Sequence, residues 1–174
     1  MKVGVEPRLP WKHLALSLAI TLGWMVMMQI AVKPLTSQDI VRFELARTVD
    51  NAVFILSAWE LRGVTDLFIR SVYLDFVFLV LYCYTLSVVC RALSQLAGGW
   101  LRQSGIIFSK VIWLAGLFDI IENISMINSV KNSPTPATVL MAEYSASIKF
   151  LLVLLTLISI MASLGRIGLS KLKS

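Results

Sequence analysis

Residues 106–127 read Ile-Ile-Phe-Ser-Lys-Val-Ile-Trp-Leu-Ala-Gly-Leu-Phe-Asp-Ile-Ile-Glu-Asn-Ile-Ser-Met-Ile. Twenty-two residues without proline are enough, at about 1.5 Å rise each, to cross a hydrocarbon core of about 30 Å. Asp119, Glu122, Asn123 and Met126 fall on steps of three and four and share one helical face. Around the rest of the helix the residues are almost all apolar. A water-soluble helix would invert this arrangement, so the segment is expected to span a membrane and turn its polar face to neighbouring helices.

Three further apolar runs flank it. The first covers about residues 14–32, follows Lys2, Arg8 and Lys12, and closes at Lys33-Pro34. Its length and its poorly matching end, Gln29-Ile30-Ala31-Val32, predict an uncleaved helix in place of a signal peptide. The second covers about 72–90, with Thr65 expected to cap its helix and Asp66 in the first turn. The fourth covers about 139–164. Leu96-Ala97-Gly98-Gly99 and the double-proline segment 131–136 separate the last three runs. The 174 residues have a mean hydropathy of +0.80 and only 15% charged residues, too few to cover a soluble domain of this size. The expected architecture is therefore all-α: one integral membrane domain over 1–174, a four-helix bundle.

Between the first two runs, residues 37–64 are more polar. Thr36-Ser37-Gln38-Asp39 spells a capping box, and a second short helix is expected to start at Thr48 to Asp50 and stop at Gly63. These pieces are expected to be amphipathic and to lie at the interface or over the end of the bundle. With four spans both termini share a side. Nine Lys and Arg (Lys2, Arg8, Lys12, Arg91, Arg102, Lys110, Arg166, Lys171, Lys173) fall there, against six (Lys33, Arg42, Arg47, Arg62, Arg70, Lys131) opposite. The positive-inside rule then predicts cytoplasmic termini. The net charge of +6 reads as orientation and contact with membrane lipid head groups, with no nucleic acid partner.

Candidate functional residues are those charged at depth, where insertion costs about 2.5–3.5 kcal/mol per group. They are Asp75, Asp119, Glu122 and Lys149. Two carboxylates one turn apart on the third span repel unless one holds a proton or meets a cation, and Lys149 on the fourth span supplies one. Ser145, Lys149, Leu152, Thr156, Ser159 and Ser163 form a stripe suited to close helix contact. Asp75, Phe78, Tyr82 and Thr85 share a face of the second span. If the spans are neighbours, these groups converge in the outer half of the bundle, and Glu44, Arg47, Trp59 and Glu60 lie above them as a lid. Cys83 and Cys90 sit two turns apart, too far for a mutual disulfide. The single histidine, His13, argues against a histidine-built metal site, and no cofactor is implied. Trp11, Trp24, Trp59, Trp100 and Tyr144 suit an interfacial aromatic belt. Asn123-Ile124-Ser125 matches a glycosylation sequon but falls inside a span.

The strings Phe43-Glu44-Leu45-Ala46, Trp59, Leu74-Asp75-Phe76, Ala115-Gly116, Asp119, Glu122-Asn123 and Lys149-Phe150 together resemble an uncharacterised family of small, mainly bacterial four-span membrane proteins. The resemblance covers about residues 43–150; it implies a bacterial inner membrane as the location and implies no activity. Three structural roles for the polar residues stay open: an ion pair holding the third and fourth spans in register, a ligand or catalytic site, and contact with a membrane-protein partner or second copy. As functions these correspond to binding a lipid head group or small polar molecule, to a lipid- or isoprenoid-modifying enzyme, or to an accessory subunit of a membrane complex. In the enzyme, Glu122 would carry a proton while Asp119 and Asp75 position a cation or substrate. The sequence has no GxSxG, no HExxH and no Asp-rich diphosphate-binding run to favour it.

Overall fold

The computed structural model describes residues 11–171. Lys2, Arg8 and Lys173, used above for orientation, lie outside the described residues. Six α-helices follow one another: α1 (Trp11–Ala31), α2 (Ser37–Glu44), α3 (Val49–Leu61), α4 (Thr65–Leu96), α5 (Trp100–Asn132) and α6 (Pro136–Lys171). No strand occurs among the described residues. α1, α4, α5 and α6 are each long and apolar enough to cross a membrane.

Local chemistry sets the boundaries. The Thr36 hydroxyl accepts from the Asp39 amide while the Asp39 carboxylate accepts from the Thr36 amide and hydroxyl, closing the expected capping box of α2. These bonds, the side-chain one foremost, hold the Asp39 carboxyl below its ordinary pKa. Thr48 caps α3 through the Asn51 amide. Gly63, at φ 65°, takes the left-handed turn that ends it. Thr65 does not cap α4. The N-cap is Val64, whose carbonyl accepts from the Phe68 amide, and Thr65 begins the helix with its hydroxyl buried and unpartnered. The helices also outrun the apolar segments that predicted them, because α4 and α5 continue through polar residues at both ends.

α5 is the central helix, packing along both α4 and α6, while α1 packs along α4 with no comparable interface to α5 or α6. Small residues let α4 and α5 approach closely. A Cβ on Gly105 would meet the Cys90 carbonyl at 2.8 Å, and one on Gly116 would meet Cys83 Sγ at 2.7 Å. Ser87 reinforces this seam by donating to the Ser109 carbonyl at 2.7 Å. On α6 the polar stripe is buried as expected, Ser145, Lys149, Thr156, Ser159 and Ser163 all facing inward. Cys83 and Cys90 are buried and free.

The short helices cap one end of the bundle. Phe43, Trp59 and Phe68 form a three-ring cluster with centroids 4.7–5.3 Å apart, joined by Leu35, Val64, Met126 and Val139. Trp59 therefore belongs to a core and not to an interfacial belt; of the other residues expected in that belt, Trp11, Trp100 and Tyr144 are exposed. α3 also departs from a simple amphipathic pattern. Besides the buried Ala52 and Trp59 it exposes Val53, Phe54 and Leu61.

Candidate functional site

Helix periodicity brings the charges together. Thirteen residues separate Asp119 from the C-terminal Asn132 of α5, and thirteen separate Lys149 from the N-terminal Pro136 of α6. At about 1.5 Å per residue both lie some 20 Å from the turn that joins the two helices. Across that interface Lys149 Nζ stands 3.0 Å from Asp119 Oδ1 and 2.7 Å from Glu122 Oε2. α4 adds two partners: Tyr82 donates its hydroxyl to Asp119 Oδ2 at 2.9 Å, and Asp75 Oδ2 accepts from Asn123 Nδ2 at 2.7 Å. Asp119, Glu122 and Asn123 are at most 2% exposed and Lys149 is 8% exposed. The six residues singled out from the sequence thus fall into two sets of contacts, Tyr82–Asp119–Lys149–Glu122 and Asp75–Asn123.

A seventh group comes from outside the spans. Glu44, the last residue of α2, is 7% exposed. Its carboxyl lies close enough to that of Glu122 for a hydrogen bond if one of them carries a proton. Burial pushes the Glu44 pKa up, partly opposed by the nearby Lys149 charge. A proton on either carboxyl would bridge the two. Without it, Glu44 Oε2 and Glu122 Oε1 have no donor.

The other residues assigned to a lid have different places. Arg47 projects outward and meets Glu143 Oε1 at 3.5 Å, its side chain 79% exposed. That contact is a largely exposed ion pair between the α2–α3 turn and α6. Trp59 packs in the ring cluster, and Glu60 is exposed.

A cleft of about 760 Å³ opens beside this network. Because α1 packs chiefly on α4, a gap remains between α1 and α6. Leu18, Leu22 and Met25 line one wall, and Phe150, Val153 and Leu157 the other. α4 forms the floor with Phe78, Tyr82 and Thr85, the face read from the sequence. Thr85 also meets the Thr21 hydroxyl at 2.9 Å, fixing α1 against the floor. At one end the apolar walls give way to Glu44, Asp75, Asp119 and Lys149. Lys149 Nζ sits 4.8 Å from the centroid of the Phe150 ring, at the boundary between the charged end and the wall.

Four carboxyl groups surround one ammonium here, a net charge of −3 if every group ionised. Such an excess is strongly disfavoured in a low-dielectric interior and must be offset by protons or by a bound cation. Among the described residues no group of three or more His, Cys, Asp or Glu is placed to hold a metal ion.

An all-α bundle with four helices of spanning length and hydropathy is compatible with an integral membrane protein. Comparison with protein-family models, with curated proteins and with solved structures gave no match. The functional reading therefore rests on the chain's own chemistry.

Proposed function

We propose that this protein is an integral membrane protein that binds an amphiphile, a lipid or lipid-like molecule, in the cleft between α1 and α6. The observation that carries this reading is the form of the cleft: about 760 Å³, apolar along its length, ending on a buried charged network. Sites of this size with apolar walls and a few convergent polar groups are the common form of small-molecule pockets. An acyl chain entering laterally through the α1–α6 gap would lie along the apolar walls while the head group reaches the charged end at Glu44 and Asp75. With both termini cytoplasmic, the charged end lies in the outer half of a bacterial inner membrane.

Native mass spectrometry from mild detergent tests the reading. The wild type is compared with Leu22→Trp and Val153→Trp, which fill the cleft while leaving every member of the charged network in place. A discrete adduct on the wild type that is lost from both folded variants supports the cleft as the site. An adduct that persists in both variants at wild-type occupancy removes it.

A further inference from the structure

We infer that the cleft selects an amphiphile with a cationic ammonium head group and discriminates against anionic ones, an inference that rests on the cleft being a binding site. The reasoning is a census of which charges remain uncompensated. Lys149, the one cation of the network, is already held by two carboxylates at 3.0 and 2.7 Å. It therefore has little positive charge left to offer a phosphate or sulfate. Asp119 is satisfied by Lys149 and by the Tyr82 hydroxyl.

Two carboxyls on the cleft remain under-compensated. Asp75 has the Asn123 amide on Oδ2 and, among the described residues, no counter-ion within salt-bridge distance. Glu44 is more than nine-tenths buried and lines the cleft, and among the described residues its Oε2 has no donor, only the Glu122 carboxyl nearby. One acid comes from α4 and the other from α2, so they approach the charged end of the cleft from different elements. An ammonium placed there gains charge-assisted hydrogen bonds to both. The Tyr82 and Phe78 rings, 5.5 Å apart on the cleft floor, add faces over which a cation is attracted. An ammonium there can replace the proton that otherwise bridges Glu44 and Glu122, whereas a phosphate would add negative charge where four carboxyls already outnumber one ammonium.

The test uses the full-length protein in a nonionic maltoside detergent and probes of matched chain: dodecylamine, dodecyl phosphate and dodecanol, with butylamine as the head group without a tail. Binding is read by native mass spectrometry and by the shift in unfolding temperature. Dodecylamine is expected to bind tightest. Asp75→Asn and Glu44→Gln, each of nearly unchanged shape, are expected to weaken it by about tenfold or more, the scale of one hydrogen bond to a charged group. Either variant suffices if the other does not fold. Stronger binding of dodecyl phosphate, equal binding of dodecanol, or folded variants that keep full amine affinity would overturn the charge selectivity and leave the cleft reading standing. Butylamine binding as tightly as dodecylamine would overturn the requirement for an amphiphile. If none of the dodecyl probes binds, the cleft reading itself fails together with the inference.

Discussion

Replacing Lys149 with methionine removes the ammonium while roughly keeping the length of the side chain. Asp119 and Glu122 then lose a cation at 3.0 and 2.7 Å, and both are at most 2% exposed, so water cannot replace it. Breaking a buried pair in this way costs about 3–5 kcal/mol, because a charge is left uncompensated. At 1.4 kcal/mol per factor of ten, the folding equilibrium should fall by about two to four orders of magnitude. The triple variant Lys149→Met, Asp119→Asn, Glu122→Gln removes the stranded charges with the cation, and should recover most of the loss, since neutral replacement of a buried ion group is often close to neutral. Reversible unfolding in mixed micelles, followed by helicity, measures all three proteins. A Lys149→Met variant within about 0.5 kcal/mol of the wild type, the ordinary range for surface substitutions, would refute the view that this ammonium holds the carboxylates. A triple variant no more stable than the single one would refute the electrostatic origin of the loss.

Other consequences can be checked in the same system. Gly105→Ala places a methyl group 2.8 Å from the backbone carbonyl of Cys90, which cannot swing away, and should cost about 1–3 kcal/mol by overpacking; an unchanged unfolding midpoint would show that α4 and α5 can separate there freely. Trp59→Ala empties the centre of the Phe43–Trp59–Phe68 cluster and should cost about 3–5 kcal/mol, whereas Trp100→Ala, at an exposed position, should stay within about 0.5 kcal/mol. The Asp39 carboxyl has a lowered folded-state pKa, so its contribution is present above the ordinary value near 3.8 and is lost as pH falls through the lowered value. Protection of the α2 amides, taken relative to their intrinsic exchange rates at each pH, should fall over that interval in the wild type and stay flat in Asp39→Asn; an equal fall in both would remove Asp39 as the cause. Glu44 has the opposite sign: with a folded-state pKa raised by burial, it lowers stability as pH rises above its ordinary value of 4.5. The stability of Glu44→Gln relative to the wild type should therefore grow from acid to neutral pH.

Much of this arrangement was legible because helix periodicity and membrane energetics point the same way. Asp119, Glu122 and Asn123 on steps of three and four left one inward face for α5, and Lys149 at a matching depth on α6 had to meet it. Asp75, Tyr82 and Thr85 followed from the same arithmetic on α4. What was not legible involves contacts without periodicity. Glu44 was assigned to a lid on sequence position alone, and its burial against Glu122 depends on how α2 folds back from the Lys33-Pro34 turn. Trp59 has the composition of an interfacial residue, and only the meeting of α2, α3 and α4 places it in a core. The α4–α5 seam did leave a signal: Gly105, Ser109, Ile112 and Gly116 recur on steps of three and four. It was overshadowed by the charges on the same helix. The cleft had no sequence signature, since it exists because α1 packs on α4 and leaves α6 uncovered.

Mapping where a bound chain lies tests the central claim most directly. The protein, in bilayer nanodiscs, is exposed to an alkylamine carrying a photoactivated diazirine at mid-chain, with and without excess unlabelled dodecylamine, and labelled residues are identified by peptide mass spectrometry. An occupied cleft predicts labelling of Met25, Phe150 and Leu157 on its walls that the competitor suppresses, over weak unsuppressed labelling of the outward-facing Leu151, Leu154 and Met161. Equal labelling of both sets, insensitive to competitor, would mean that lipid merely surrounds the bundle and would contradict the account.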